Sequence, residues 1–204
     1  MAPSSSTIIE EIDAMRKSGL VSLAFFYCDF REDPKKDQRG LLSSVLVQLC
    51  HQSDAYCDIL FNLYLQHDKG SRQPSDGSLV QCLKDMTKLP GQAPVYLIVD
   101  ALDECPNPHA LPSSPRKKVL SLVEQLVKSK IPNLRICVSS RPETDIKAVL
   151  ETLTSHSISL HDESGQMEDI NNYIKSVVNS SMKRLKAEDK QLIIDVLTKN
   201  ANGM

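Results

Sequence analysis

Three short segments of the 204-residue chain are apolar almost without interruption, and they constrain the fold more than any other feature. They are LVSLAFFYCDF at 20–30, PVYLIVD at 94–100 and LRICVSS at 134–140. Continuous rather than alternating apolarity is typical of strands that are covered on both faces, as in a parallel sheet. A weaker segment, SHSISL at 155–160, alternates in polarity and predicts a fourth strand.

The segments between these runs carry apolar residues at helical spacing. They predict helices within 6–19, 41–52, 55–68, 78–89, 116–129, 141–153, 167–185 and 187–204. Strands that alternate with helices predict an α/β layered domain with a mostly parallel sheet.

Composition excludes several classes of partner. The net charge of −2 and the isoelectric point near 6.2 give no electrostatic basis for binding nucleic acid or a membrane surface. The chain contains no apolar run long enough to span a bilayer and no signal peptide at its start. The six cysteines form no metal-ligand spacing, which predicts free thiols in a reducing compartment. We therefore expect a cytoplasmic protein.

Three carboxylates follow the second apolar run: Asp100 ends it, and Asp103 and Glu104 come within the next turn. Ligands of parallel sheets bind at the carboxyl ends of the strands. Mg²⁺ takes one or two carboxylates together with waters and phosphate oxygens, and a nearby acid can orient a water. The cluster therefore predicts a site for Mg²⁺ and a phosphate-bearing ligand. The alternative is that these acids cap the following helix or face solvent.

An arginine follows the third run in the same way. Arg141 comes directly after LRICVSS, so it is expected at the same edge of the sheet as the three acids. A guanidinium there can contact a γ-phosphate. The alternative is a surface arginine that pairs with Glu143 or with the acidic cluster.

These motifs, in this order and separation, carry a resemblance to a known family. VYLIVDALDECPN and LRICVSSRPETDI resemble the Walker B (95–104) and sensor 1 (134–141) segments of NACHT-type P-loop NTPases. The similarity is closest to the nephrocystin 3-like N-terminal domain of fungal NACHT proteins, and it extends to SSTIIEEI, SLAFFYCDFRED and the closing KNANGM. The resemblance implies a three-layer P-loop NTPase-type sandwich over 1–162, with the start of a following helical region over 163–204.

The resemblance also implies roles for the four residues. Asp100 would be the acid associated with Mg²⁺, Asp103 and Glu104 would position or activate the attacking water, and Arg141 would report on the γ-phosphate. The cofactors of full-length relatives would be Mg²⁺ with ATP or GTP. The implied function is a nucleotide-dependent regulatory switch that works with protein partners or by self-association.

One departure from the family pattern limits this expectation. A P-loop NTPase needs G-x-x-x-x-G-K-[ST], and none of the seven glycines of the sequence stands in that motif. We therefore expect the first strand and the phosphate loop to be missing, which would leave a gap between 134–139 and 155–160. The best-ordered part of the sheet is then expected at 21–27, 95–99 and 134–139, with 155–160 detached or re-paired. Nucleotide would then not bind tightly, and whether this chain is an enzyme is left open.

Two other functions remain open on the sequence. The first is a non-enzymatic protein–protein interaction module derived from the same fold, in which the acids have no catalytic use. The second is a different Mg²⁺-dependent phosphate enzyme whose acids work without a phosphate loop.

Overall fold

The computed structural model describes residues 5–108, 113–158, 164–183 and 185–201. The described chain divides into two compact units, one formed by Ser5–Ser155 and the other by the residues from His156 onward. The second unit contains two helices that pack on each other, α7 (Ser164–Ser181) and α8 (Ala187–Ala201). None of the described helices has the length and apolarity needed to cross a bilayer.

The first unit is built on a parallel sheet of three strands. They are β1 (Ser22–Tyr27), β2 (Val95–Asp100) and β3 (Leu134–Val138), in the order β1-β2-β3. Ser22 lies opposite Val95 in one ladder, and Val95 lies opposite Leu134 in the other. The predicted α/β class, the parallel sheet and the three predicted strands are confirmed.

Six helices surround this sheet. They are α1 (Ser5–Lys17), α2 (Gln38–Cys50), α3 (Asp54–Gln66), α4 (Asp76–Lys88), α5 (Pro115–Lys128) and α6 (Thr144–Leu150). Short 3-10 turns lie at Asp33–Lys35, Asp68–Gly70 and Leu102–Glu104. The side chains of Asp37, Ser75 and Ser114 each accept a hydrogen bond from a backbone N–H three residues on, so these polar residues set where α2, α4 and α5 begin.

Both faces of the sheet are buried, as the continuous apolar runs predicted. Ala24, Leu97 and Val99 belong to the main core, together with the apolar faces of α2, α4 and α5. Leu23 and Ile98 point to the opposite face by strand alternation and are also buried. The central strand β2 is therefore held by apolar packing from two sides, which fixes the position of the residue at its end.

Two glutamine side chains, Gln48 of α2 and Gln52 just after the end of that helix, cover the outer edge of β1. Gln52 accepts from the Leu23 N–H at 2.9 Å and donates to the Leu23 carbonyl at 2.6 Å. Gln48 does the same for Phe25, at 3.0 and 2.8 Å. The two amides thus satisfy alternate backbone groups of the exposed edge, which would otherwise be open to pairing with another chain.

The fourth predicted strand is not observed where the structure describes it. Residues 155–158 form no strand, and residues 159 and 160 lie outside the described part, so the prediction at 155–160 is wrong over its first four positions. Among the described residues, β3 pairs with β2 alone. A short segment with alternating polarity becomes a strand only if a neighbouring strand accepts its backbone hydrogen bonds, and none of the three described strands pairs with 155–158.

Candidate functional site

The candidate site lies at the carboxyl end of the sheet, where β2 ends at Asp100. Ala101 then adopts a left-handed backbone with φ of 53°, which turns the chain into the 3-10 turn Leu102–Glu104. Leu102 is fully buried, and its N–H donates to the Ser139 carbonyl at 3.0 Å. The burial and the hydrogen bond of Leu102 therefore hold the turn in place, so that Asp103 and Glu104 lie at the carboxyl-end rim of the sheet.

Ser139 holds the carboxylate of Asp100. The Ser139 hydroxyl donates to Asp100 Oδ1 and accepts the Ala101 N–H at 3.1 Å. The Ser139 N–H donates to the Val99 carbonyl at 2.9 Å, so the serine itself is fixed by the ladder between β2 and β3. On the other side, the Cys28 N–H donates to the Asp100 carbonyl at 3.0 Å. Asp100 is therefore oriented by both neighbouring strands.

Asp103 and Arg141 meet across the rim. The Arg141 N–H donates to Asp103 Oδ1 at 3.0 Å, and Arg141 Nε lies 3.5 Å from Asp103 Oδ2. The Asp103 side chain is only 12% exposed, whereas that of Arg141 is 83% exposed. The structure thus brings the two predicted residues together, in the pairing with the acidic cluster that the sequence left open as the alternative. The γ-phosphate role of Arg141 and the water-activating role of Asp103 stay predictions.

A second acid–base pair follows β1 at the same rim. The Arg31 guanidinium donates to both oxygens of Asp29, at 2.9 Å each, and this hydrogen bonding lowers the pKa of Asp29 to about 2. The pKa of Arg31 is raised, first by its hydrogen bond with Asp29 and to a lesser degree by the charge of Glu104. Glu104 therefore interacts electrostatically with Arg31. The sequence showed a charged loop at this position but did not single out Arg31 as a site residue.

Arg116 holds the 3-10 turn Leu102–Glu104 through backbone hydrogen bonds. The sequence did not identify this residue. Its side chain is only 12% exposed; it donates to the Asp103 carbonyl and, at 3.0 Å, to the Cys105 carbonyl. Its Nη1 also lies 3.3 Å from Asp145 Oδ1 at the start of α6. In the sequence Arg116 stands only in a short basic cluster. No local pattern indicates that it pairs with Asp145, 29 positions away.

Two buried thiols lie under the acids. The side chains of Cys28 and Cys105 are both buried, and each thiol affects the ionisation of the other. The pKa of Cys28 is raised by the hydrogen bond with Cys105, by burial and by the charges of Asp100 and Asp103. The pKa of Cys105 is shifted the other way and is lowered, first by Cys28. Because both side chains are closed off from solvent, the pair belongs to the packing of the site.

The carboxylates at the end of β2 fit a cation that takes only some of its ligands from the protein and the rest from a bound phosphate and waters. No group of three or more His, Cys, Asp or Glu side chains able to hold a metal occurs in the part of the chain that the structure describes. Mg²⁺ needs only one or two protein carboxylates when phosphate oxygens and waters supply the rest. Asp100 is partly exposed at the end of its strand and meets that requirement.

The fold and this rim define an α/β domain that carries acidic and basic side chains at the carboxyl end of a parallel sheet. A family model described as "Nephrocystin 3, N-terminal" matches residues 4–141, and the chain belongs to this family. It is a nephrocystin 3-like N-terminal domain of NACHT-type proteins, as the sequence motifs predicted. The matched range includes all three strands and ends at Arg141.

A curated relative supports the same assignment. The chain is 27% identical over 206 residues to the vegetative incompatibility protein HET-E-1 of Podospora anserina. The alignment covers 96% of this chain but 14% of that protein, so the chain spans about one seventh of the length of the relative. No solved structure matches the chain.

Proposed function

We propose that this chain is a module of a NACHT-type signalling NTPase, with a P-loop NTPase-type fold, whose acidic rim forms one wall of a Mg²⁺–nucleotide site. The observation that carries the proposal is the fixed placement of Asp100 at the end of the central strand, with Asp103 and Arg141 joined on the same rim. Family membership and the similarity to a vegetative incompatibility protein support a role in signalling rather than in metabolism.

Each side chain has a role in this proposal. Asp100, oriented by the Ser139 hydroxyl, would hold Mg²⁺, and that ion would supply positive charge opposite the phosphates. Asp103 and Glu104 orient the attacking water. Arg141 exchanges its contact with Asp103 for the terminal phosphate, which is feasible because its guanidinium is mostly exposed to solvent.

The same residues are proposed to bind nucleotide weakly by themselves. A phosphate loop supplies backbone N–H groups and a lysine that together hold the phosphates, and this sequence contains no G-x-x-x-x-G-K-[ST]. The acids contribute only negative charge, which repels the phosphates unless Mg²⁺ is present. The rim can therefore complete a nucleotide site, but it does not supply the affinity.

Calorimetric titration of the 204-residue chain with Mg-ATP and with Mg-GTP tests this proposal. We expect dissociation constants in the millimolar range or no measurable heat. A micromolar dissociation constant would contradict the proposal that the chain binds nucleotide weakly by itself. It would not contradict the assignment of the site residues.

The site assignment has its own test. A fusion that places a strand and phosphate loop of a family member before Ser5 should gain Mg-ATP binding. Asp100→Asn should then remove the Mg²⁺ dependence of that binding, while Asp85→Asn, an exposed acid on α4, should not change it. If Asp100→Asn bound Mg-ATP as well as the parent fusion, Asp100 would not be the acid of the site.

A second candidate function is the non-enzymatic interaction module. The observation that favours it is a stacked aromatic pair on α3: Phe61 and Tyr64 have ring centroids 6.0 Å apart and are 56% and 46% exposed. Apolar aromatic surface of this kind is enriched at protein interfaces. Light scattering after size-exclusion chromatography should show self-association that Phe61→Ser removes and Asp100→Asn leaves unchanged. A chain that is monomeric at all concentrations would argue against self-association.

A further inference from the structure

Two cysteines meet at the tight connection between α2 and α3. Cys50 is the last residue of α2, and Cys57 lies in the first turns of α3. The Cys57 thiol donates to the Cys50 carbonyl at 3.1 Å, and the Cys50 sulfur lies 3.6 Å from the Tyr56 carbonyl. The fold therefore places two cysteines from adjacent helix ends next to each other, each thiol close to the backbone beside the other.

The two thiols differ in their access to solvent. Cys57 is exposed and Cys50 is partly buried, whereas Cys28 and Cys105, the other neighbouring pair, are both buried. Thiol–disulfide exchange begins with an accessible thiol that can lose its proton to solvent. Of the two pairs, only the one between α2 and α3 has such a thiol in the described structure.

We propose that Cys50 and Cys57 form a thiol–disulfide exchange site that reacts with small disulfides of the oxidised-glutathione class and closes reversibly into an intramolecular disulfide. The Cys57 thiolate attacks one sulfur of the small disulfide and releases one small thiolate. Cys50 then loses its proton to solvent and attacks the Cys57 sulfur, which expels the second small thiolate. Two protein thiols are oxidised to one disulfide, and the small disulfide is reduced to two thiols.

The environment of Cys50 suits the second step. Its pKa is raised to about 12, first by burial and then by the negative charge and hydrogen bond of Cys57. Once Cys57 is in the mixed disulfide, its charge is gone and that second cause disappears. Cys50 is therefore unreactive toward outside reagents but becomes a better nucleophile when its neighbour has reacted.

Closure of the disulfide acts on a surface beside it. Both sulfurs line an open groove of about 550 Å³, whose other walls include Leu60, Phe61 and Tyr64. A covalent link from the end of α2 to the first turns of α3 restrains the helix that carries these apolar residues. The redox state of the pair thus sets how freely this wall of the groove moves.

The test uses the whole chain, oxidised glutathione as the probe, and peptide mass mapping after alkylation of the remaining thiols. In the wild type we expect the loss of two hydrogen masses, with a Cys50–Cys57 link that dithiothreitol reverses. In Cys50→Ser we expect glutathione to stay attached at Cys57, because no second thiol displaces it. In Cys57→Ser we expect neither product at Cys50.

Two results would overturn the proposal. One is a wild type that accumulates glutathione at Cys57 without closing, because the sulfurs would then be out of reach of each other. The other is a first-formed link at Cys28–Cys105 instead. A trivalent arsenical, which bridges only neighbouring thiols and needs no oxidant, provides a second measurement: the wild type should bind one equivalent that both single variants lose.

Discussion

Arg141 and Asp103 are joined twice, through the Arg141 backbone N–H at 3.0 Å from Oδ1 and through Nε at 3.5 Å from Oδ2. The first contact fixes the segment after β3 to the acidic turn after β2, and it needs no particular side chain at position 141. The second contact is made by a guanidinium that is 83% exposed. The backbone contact is therefore structural, and the side-chain contact is available for exchange with a ligand.

Removing the two partners should have unequal effects on stability. Arg141→Ala is expected to lower the free energy of unfolding by less than about 1 kcal/mol, because an exposed ion pair contributes little. Asp103→Ala also leaves the Arg141 N–H without its acceptor and should cost about 1–2 kcal/mol. Urea unfolding followed by circular dichroism measures both. Equal losses would show that the ion pair, and not the backbone contact, holds the turn.

Arg116 should contribute more to stability than either. Arg116→Met leaves the carbonyls of Asp103 and Cys105 without this donor and removes the ion pair with Asp145, which keeps only its hydrogen bond from the Asn107 amide. The variant should be less stable by about 2–4 kcal/mol. The matched control is Lys117→Met, an exposed neighbour on the same helix, with an expected change within about 0.5 kcal/mol. Denaturant unfolding compares the two variants. If Arg116→Met lowered the free energy of unfolding as little as Lys117→Met, Arg116 would not stabilise the turn.

The contrast between these residues shows what the sequence could predict. The three strands followed from continuous apolar runs, and because parallel strands end at one edge, the convergence of Asp100, Asp103 and Arg141 followed from their positions after those runs. These are local signals combined with one rule of topology. The helices were predicted for the same reason, since apolar spacing along a helix is visible within a short window.

The rest depended on contacts between distant parts of the chain. Arg116 reaches Asp145 because α5 and α6 pack together, and no spacing in the sequence encodes that distance. Gln48 and Gln52 looked like ordinary polar positions of the predicted helix over 41–52, yet they pair with the edge of β1. The strand predicted at 155–160 failed over 155–158 because alternation alone does not supply a partner strand.

The glutamine cover of β1 can be tested by removing one amide at a time. Gln48→Leu keeps the helix but leaves the backbone N–H and C=O of Phe25 unpaired, and it should cost about 1–3 kcal/mol. Gln125→Leu, an exposed glutamine of α5, is the control and should change stability by less than about 0.5 kcal/mol. Light scattering should also show association of the Gln48 variant, because the edge becomes open to strand pairing. A stable, monomeric Gln48→Leu would exclude a protective role.

The Asp29–Arg31 pair predicts a pH dependence. The pKa of Asp29 is lowered to about 2, so the carboxylate stabilises the fold above its ordinary pKa of about 3.9 and loses that effect as pH falls through about 2. Wild type should therefore be more stable than Asp29→Asn at pH 5, and the melting temperatures of the two should converge between about pH 4 and 2. Carboxyl NMR titration of Asp29 gives the pKa directly, and Arg31→Ala should return it toward the ordinary value. A constant difference between the two proteins across this range would contradict the assignment.

The end of α5 offers a stabilising substitution. Lys130 follows the helix with φ of 47°, and its N–H donates to the Val127 carbonyl at 3.0 Å, which is the left-handed position that glycine favours after a helix. Lys130→Gly should relieve about 1–2 kcal/mol of backbone strain. Glycine has more freedom in the unfolded chain, which costs about 0.5–1 kcal/mol. The variant should therefore be more stable by about 0.5–1 kcal/mol. The control Gln125→Gly lies inside the same helix, three residues before its end, and should be less stable by about 0.5–1 kcal/mol. Denaturant midpoints of the two variants should thus move in opposite directions, and a destabilised Lys130→Gly would mean that the lysine side chain makes a contribution that outweighs its backbone strain.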